Sequence, residues 1–407
     1  MEGVRLHDII IIGAGPCGSY IARRLSHLGY RVVVVEENVR AGDDICCTGI
    51  ISQECLRAFS LDNSLVLREV SSAKFLSPSG KCLRLRRESS VAAIVDRVRL
   101  DMNLAEQAQE AGADYLFGAK ATDVLLTSDA VKVRIKRQRR EATLKAKAAI
   151  IATGFGSALP RKLGLGEIKQ FVIGAQAEVD INSVDEVEVY FDQNLAPGGF
   201  AWLVPTTDGK GLAGLFTRHQ AELYIKSLLS TLSRQGKIAS GEVARSYGVI
   251  PLRPLPKTYA DRVLVVGEAA GQVKPTTGGG IYFGLLCAEL ATNTVHHALL
   301  AGDLSSRRFS HYQREWRAEI AADLRLGYLA RKLYNKLSNK QIEEIFDLMI
   351  SNRIPDELPQ WEEFSFDWHG RLIYRLLRQQ ALLAPMVIPK LRMVKWLGKN
   401  LTVDQKL

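Results

Sequence analysis

The sequence predicts an α/β fold: a domain on a parallel sheet, an inserted and mostly antiparallel β-sheet domain, and a C-terminal helical region. Three observations support this prediction. Buried strands followed by glycine-rich turns occur at residues 8–36 and again at residues 262–284. Segments between these two motifs alternate apolar and polar residues, as half-buried strands do. From residue 305 the apolar residues recur at helical spacing.

The N-terminal motif is DIIIIGAGPCGSYIARRLSHLGYRVVVVE. Residues 9–12 form an apolar run that predicts a buried strand, and three glycines follow at GxGxxG spacing. Gly13 permits the tight turn, Gly15 lets the backbone approach a pyrophosphate, and Gly18 lets the helix pack closely on the sheet. The N–H groups of Cys17 and Gly18 then face the phosphates at the helix N-terminus.

The motif continues with a helix and a second strand. Ile21, Leu25 and Leu28 share one predicted helix face, and the apolar residues 32–35 end at Glu36. A carboxylate at this position can accept hydrogen bonds from both ribose hydroxyls of a dinucleotide. A glycine-rich turn in some other α/β unit would not require all these parts in this order. The motif therefore predicts a Rossmann-type site.

Composition excludes several classes of protein. The chain has 407 residues, of which 47% are apolar and 24% charged, values that are ordinary for a globular protein. Its six cysteines show neither a CxxC pair nor metal-ligand spacing, which argues against a disulfide-stapled secreted domain and a metal site. No apolar run approaches the roughly 20 residues that span a bilayer. We therefore expect a cytoplasmic protein without a signal peptide.

The two predicted sheets interrupt each other along the chain. We expect the nucleotide-binding domain at residues 1–69, 96–170 and 251–304, and the substrate domain at 70–95 and 171–250, followed by a helical, basic region at 305–407. The predicted elements include a helix at 54–59, a hairpin at 70–87, a helix at 96–111, an antiparallel excursion at 121–149, and strands between 171 and 216.

The second glycine-rich motif indicates the cofactor. Its strand ends at Gly267 and Glu268, before a long helix. NAD-binding folds need only the first motif, whereas flavoproteins of the para-hydroxybenzoate hydroxylase type use a second strand and turn whose acid binds the ribityl chain of FAD. The segment from Arg97 to Asp101 resembles the RxxFD segment of that family, which implies that Arg97 lies near the cofactor. The prediction is a Rossmann-type FAD-binding domain.

Three further segments resemble the geranylgeranyl reductase family of flavoproteins, which saturate isoprenoid double bonds. They are CTGIIS at 47–52, PGGFAWLVP at 197–205 and KPTTGGGI at 274–281, and the resemblance extends from Asp8 to about Trp316. It implies additional FAD contacts at Cys47, Thr48, Ile50, Gly280 and Ile281.

The PGGFAWLVP segment predicts the substrate site. Gly198 and Gly199 let a strand pass close to a ligand, and Phe200 and Trp202 lie on one face as an apolar wall. Core aromatics in a glycine-containing strand are the alternative. Cys47 is the candidate catalytic residue, because it could donate a proton or pair with Cys287. The alternative is that its thiol is a small buried hydrophobic group.

The resemblance implies an FAD-dependent reductase acting on a geranylgeranyl-type chain, carried by a lipid or a prenyl diphosphate. The electron donor would be NAD(P)H or a small redox protein. The main alternative is a monooxygenase or halogenase on the same fold, although Phe200 occupies the first position of the WxWxIP pattern of tryptophan halogenases. A flavin-containing lipid-binding protein without turnover is the third reading.

The distribution of positive charge along the chain indicates which partners the protein binds. The net charge is +10. The basic segment at 132–147 lacks interleaved aromatics, which favours a solvated face and no nucleic-acid partner. Between Arg371 and Lys399 there are seven cations and no acid, interspersed with apolar residues. This composition predicts peripheral contact with anionic lipid on the inner face of a membrane. A helix packed on the domain with a basic outer face is the equal alternative.

Overall fold

The computed structural model describes residues 6–241, 243–361, 364–373 and 375. The strands are β1 (Leu6–Ile12), β2 (Val32–Val35), β3 (Ile50–Ser52), β4 (Val66–Val70), β5 (Ser72–Leu76), β6 (Cys82–Arg86), β7 (Ala92–Val95), β8 (Asp114–Leu116), β9 (Ala119–Leu126), β10 (Val131–Arg137), β11 (Arg140–Ile151), β12 (Phe171–Asp180), β13 (Val187–Tyr190), β14 (Ala201–Pro205), β15 (Lys210–Thr217), β16 (Arg245–Pro251), β17 (Tyr259–Ala260) and β18 (Val263–Val265). The helices are α1 (Pro16–His27), α2 (Gln53–Ala58), α3 (Arg97–Glu110), α4 (Leu159–Lys162), α5 (Ala221–Arg234), α6 (Ile281–Leu300), α7 (Ser306–Tyr334), α8 (Asn339–Ser351) and α9 (Ile354–Glu357). Short 3-10 helices lie at Asn63–Leu65, Gly267–Ala270 and Leu358–Gln360.

The largest sheet carries the N-terminal motif. Its strands lie in the order β17-β18-β11-β1-β2-β8, and β10 and β9 extend from β11. Strand β1 pairs in parallel with β2 and β11, and β11 pairs in parallel with β18. The carboxyl ends of these strands meet at one edge, where open α/β sheets bind their ligands. Strands β9 to β11 pair antiparallel, which confirms the predicted excursion.

The second sheet has the order β16-β12-β15-β14-β13-β5-β6. Its pairs are antiparallel except that β13 pairs in parallel with β5. Strands β5 and β6 are the predicted hairpin, and their place beside β13 confirms that the hairpin joins the strands after residue 171. A small antiparallel sheet, β3-β7-β4, is separate from both.

Helices α1, α3 and α6 contribute to the apolar core on one face of the main sheet. Ile21 and Leu25 of α1 are buried there with Ile9 of β1. Leu28, predicted on the same helix face, is exposed instead. The reason is that α1 ends at His27 and Leu28 is its C-terminal cap. Gly29 follows with a φ of +84°, as expected for a residue after a helix end.

The predicted helical character after residue 305 is confirmed by α7 and α8. Phe309, Tyr312 and Trp316 of α7 are buried in the core that α6 also enters. Tyr312 and Trp316 donate hydrogen bonds, to the Val265 carbonyl at 3.2 Å and the Thr258 hydroxyl at 3.0 Å. Within the described residues, none of the helices has the length and apolar character needed to cross a membrane. Most of the basic segment between Arg371 and Lys399 lies outside the described residues.

Candidate active site

A cavity of about 730 Å³ lies at the carboxyl edge of the main sheet. The predicted cofactor residues in its wall are Gly13, Gly15, Cys17, Glu36 and Glu268. Its wall also contains residues 152–154, which follow β11. Sequence reasoning did not name these as site residues, although the strand β11 was predicted and parallel strands end at the same edge.

Two glycines of the first turn are required by close approaches. Gly13 has a φ of +107°, and a Cβ there would lie 2.4 Å from the Ala152 carbonyl oxygen. A Cβ on Gly18 would lie 1.9 Å from the Gly13 carbonyl oxygen. A Cβ added to Gly15 would have no neighbouring atom within 4 Å. The glycine turn therefore leaves open space at Gly15, in front of the N-terminus of α1, where a phosphate can approach.

Glu36 lies in the cavity wall immediately after β2. Its carboxylate accepts hydrogen bonds from the backbone N–H groups of Ala14 at 2.7 Å and Asn38 at 2.9 Å. These two bonds hold the side chain between the glycine turn and the next loop. A carboxylate has further lone pairs for hydroxyl donors, so this geometry fits the predicted contact with a ribose.

A buried group of charges adjoins the cavity. Arg97, at the start of α3, donates to Asp101 at 3.1 Å, and its Nε and Nη1 are buried without a partner. Burial raises the pKa of Glu268 to about 7 and that of Asp101 to about 6, although the Arg97 charge lowers both. Sequence reasoning placed Asp101 in the RxxFD-like segment but gave it no role. Its i,i+4 spacing from Arg97 on a helix was the pattern that could have predicted this ion pair. The unpaired guanidinium donors fit a phosphorylated or polyhydroxyl cofactor.

Cys17 joins the two glycine-rich motifs by packing. A Cβ placed on Gly267 or on Gly284 would lie 2.7 Å from its sulfur. Burial raises the pKa of Cys17 to about 12, so this thiol stays protonated. Cys287, on α6, is buried in the same core. The pairing of Cys47 with Cys287, one of the two roles considered for Cys47, is not formed in this structure, because both thiols are free and Cys287 lies in the core near Cys17.

The loop that contains Cys47 and Thr48 lies between α3 and the second sheet. A Cβ on Gly49 would lie 2.3 Å from the Val95 carbonyl oxygen and 3.1 Å from Arg97 Cγ. The Cys47 sulfur accepts from the Gly49 N–H at 3.4 Å, and the Cys47 carbonyl accepts from Gln176 of β12 at 3.3 Å. The loop therefore adjoins Arg97 at Gly49, and the predicted residues Cys47, Thr48 and Ile50 do not line the main cavity.

The glycine-rich loop at residues 274–280 precedes α6. Gly280 is the N-terminal cap of α6 and Ile281 is its first residue. Gly278 has a φ of +74°, and a Cβ there would lie 2.7 Å from Phe216 of the second sheet. This loop therefore brings the nucleotide-binding part of the chain into contact with the second sheet.

Phe200, Trp202 and Phe216 form one aromatic cluster, called the aromatic wall below, in which Trp202 is only 7% exposed, a packing that the core alternative shares. Phe200 and Trp202 have ring centroids 5.9 Å apart, and Phe216 lies 5.1 Å from Phe200 and 4.8 Å from Trp202. A Cβ on Gly199 would lie 1.9 Å from the Phe216 carbonyl oxygen, which requires the glycine. Sequence reasoning did not name Phe216, because its place beside Phe200 depends on the pairing of β15 with β14.

Comparisons with known proteins agree with this arrangement. A family model described as lycopene cyclase protein matches residues 8–364. The chain is 27% identical to a digeranylgeranylglycerophospholipid reductase of Methanosarcina acetivorans, covering 84% of this chain and 88% of that protein. The solved structure of a geranylgeranyl bacteriochlorophyll reductase-like protein from Thermoplasma acidophilum has a TM-score of 0.82 at 21% identity and covers 96% of this chain and 100% of that one.

A halogenase in complex with FAD shares the fold, with a TM-score of 0.70 at 15% identity over 98% of this chain and 95% of that one. At this identity the likeness concerns the fold alone. The family model covers both glycine-rich motifs, the aromatic wall and most of the described C-terminal helices. The chain therefore belongs to the lycopene cyclase protein family, and it resembles FAD-dependent oxidoreductases of the geranylgeranyl reductase type.

Proposed function

We propose that this protein binds FAD and saturates carbon–carbon double bonds of a geranylgeranyl-type chain on an isoprenoid lipid. The observation that carries the proposal is the contact between the glycine-rich loop and the aromatic wall, where a Cβ on Gly278 would lie 2.7 Å from Phe216. This contact joins the loop that precedes α6, after the second glycine-rich motif, to an apolar surface suited to an alkene. The similarity to a phospholipid reductase supports the choice of a lipid.

The residues that would hold FAD follow from the site. Glu36 would accept from the ribose hydroxyls, and the N–H groups at the start of α1 would bind the pyrophosphate. Arg97 would donate through its unpaired Nε and Nη1, and Glu268 would accept from the ribityl chain. Gly280 and Ile281 would present the N-terminus of α6. When bound and reduced by an electron donor, FAD would supply the hydride for alkene reduction.

The protein must supply the proton. An isolated alkene resists hydride addition because a carbanion would form, so protonation must lead or accompany the hydride. Cys47 is the proposed donor through its sulfur, because its loop contacts Arg97 at Gly49 and β12 through Gln176. Phe200, Trp202 and Phe216 would exclude water and stabilise transient positive charge on the chain by cation–π attraction.

An anaerobic turnover assay tests this function. The FAD-loaded protein is reduced with dithionite and offered a geranylgeranyl phospholipid or geranylgeranyl diphosphate, and the products are analysed by mass spectrometry. We expect one H₂ to be added per double bond. A monooxygenase or halogenase would leave both substrates unchanged until oxygen is admitted, and a lipid-binding protein would leave them unchanged throughout. Absence of alkene reduction by fully reduced holoenzyme would refute the proposal.

The physiological setting is also proposed. The electron donor is NAD(P)H or a small redox protein, and the protein is cytoplasmic with peripheral contact to the inner face of the membrane. This setting would let a long isoprenoid chain leave the bilayer and reach the aromatic wall. Comparing NADPH with a reduced ferredoxin-type protein as the source of electrons in the same assay would identify the donor class.

A further inference from the structure

Hydrogen-bond donors without a matching carboxylate surround the loop at Gly198. Arg331 of α7 is only 6% exposed. Its Nη1 donates to the Pro275 carbonyl at 3.2 Å and its Nη2 to the Gly198 carbonyl at 3.1 Å. Its Nε is buried without a partner. In the part of the chain that the structure describes, no ion pair joins a carboxylate to Arg331.

Three neighbouring side chains extend this set of donors. Gln193 accepts from the Gly198 N–H at 2.8 Å, which leaves its Nε2 buried without a partner. The Tyr334 hydroxyl is also buried without a partner. Arg218 also lies against the loop, since a Cβ on Gly198 would be 3.6 Å from its Cδ. With the Asn335 amide turned to donate to Gly198, its oxygen accepts from Arg218 at 2.7 Å.

The electrostatics of this cluster favour an anion. Burial and the like charge of Arg218 lower the pKa of Arg331 to about 10. Asp192 is near enough to act on Tyr334, but one of its oxygens already accepts from Asn339 and Asn194, each at 2.8 Å. A buried cation without a counter-charge is costly, and an oxyanion would satisfy the charge and the unpaired donors together.

The cluster continues into the aromatic wall. The Arg331 guanidinium lies 5.9 Å from the centroid of Phe216. The Tyr334 ring lies 5.7 Å from Phe191, which lies 6.1 Å from Phe200. A ligand with an anionic head and an apolar chain could therefore contact the donors and the wall at once.

We propose that Arg218, Arg331, Tyr334 and Gln193 form a subsite for the phosphate of the isoprenoid substrate, whose chain lies along the aromatic wall. Arginine forks and hydroxyl donors are the groups that bind phosphate oxygens in proteins. The inference rests on the proposed function, because it assigns the head group of the same substrate. The shared chemistry is a phosphate ester, carried by a lipid head group or a prenyl diphosphate.

Binding of saturated ligands tests the subsite without turnover. The FAD-loaded holoenzyme is titrated in a calorimeter with a saturated dialkylglycerol phosphate, with phytanyl diphosphate and with the dialkylglycerol that lacks phosphate. We expect Arg218→Gln and Arg331→Gln to weaken the phosphate ligands about 10- to 100-fold, the usual range for a charged hydrogen bond. Binding of the dialkylglycerol should not change. The phosphate ligand that loses more affinity identifies the source of the phosphate.

The control variant is Lys332→Gln, which removes one positive charge from an exposed residue of the same helix. It should leave all three affinities unchanged. Equal binding of phosphate ligands and dialkylglycerol by the wild type would overturn the subsite. So would an equal loss for all ligands in the arginine variants, because Arg331 would then only connect the two loops.

The exposed Arg218 decides the question if Arg331→Gln fails to fold. Failure of the proposed function would be visible separately, as an absence of alkene reduction by the wild type, since the binding assay uses ligands with no double bond. The subsite could then be overturned or supported by the same titrations.

Discussion

Replacement of Glu36 tests the placement of the cofactor. The carboxylate accepts from two backbone N–H groups, those of Ala14 at 2.7 Å and Asn38 at 2.9 Å. Glu36→Ala removes the acceptor for the ribose and leaves both N–H groups without this partner. Glu36→Gln retains one acceptor oxygen and the side-chain shape but loses the charge. The two variants therefore separate the charge from the volume of the side chain.

The expected magnitude follows from the type of bond. A hydrogen bond to a charged group contributes about 1.5–3 kcal/mol, which corresponds to roughly a 10- to 150-fold change in affinity. We expect the Kd for FAD to rise by this factor in Glu36→Ala and by less in Glu36→Gln. Removal of the bonds to Ala14 and Asn38 also loosens the glycine turn, which acts in the same direction.

The assay is titration of apoprotein with FAD, followed by quenching of flavin fluorescence. Glu110→Ala is the control, because Glu110 is an exposed carboxylate at the end of α3. Its Kd should equal that of the wild type. An unchanged Kd in Glu36→Ala, with the protein still folded by circular dichroism, would show that the dinucleotide does not bind at the end of β2.

Three further outcomes are expected. Cys47→Ser should slow alkene reduction while FAD stays bound, and full activity measured by mass spectrometry would remove Cys47 from the mechanism. Burial raises the pKa of Glu268 from 4.5 to about 7, so its neutral form stabilises the apoprotein below pH 4.5 and this contribution is lost as pH rises through 7. The apoprotein Tm should therefore fall less over this range in Glu268→Gln, and identical pH profiles would contradict the assignment. Truncation after Gln380, which lies outside the described residues, should leave flavin binding intact. It should reduce pelleting with anionic vesicles at low salt, because each cation near such a surface contributes about 1 kcal/mol to binding. Equal pelleting would leave the segment between Arg371 and Lys399 as a packing element.

The parts of the site that were predictable depend on local sequence. The glycine turn, the acid after β2 and the strand that carries Phe200 and Trp202 each have a short-range signal, a fixed spacing or a period of two. Phe216 and Arg331 have no such signal. They reach the site only through strand pairing and helix packing, between segments far apart in the chain. The neighbours of Cys287 likewise have no local signal, because they are set by the packing of α6.

The C-terminal region shows most clearly that contacts between distant segments cannot be predicted from local sequence. Its sequence suggested a basic helical region, yet it also holds the glycine-rich loop in place. Lys274 of that loop forms a buried ion pair with Asp367 at 2.7 Å, and Thr276 forms a hydrogen bond with His369 at 2.7 Å.

Removing one partner of a buried ion pair costs about 3–5 kcal/mol. The ion pair therefore stabilises this geometry of the loop against the segment that contains Asp367. Arg331 fixes the same loop from α7 through the Pro275 carbonyl. Because Gly278 of this loop touches the aromatic wall, the described C-terminal region helps to fix the position at which the glycine-rich loop meets the second sheet.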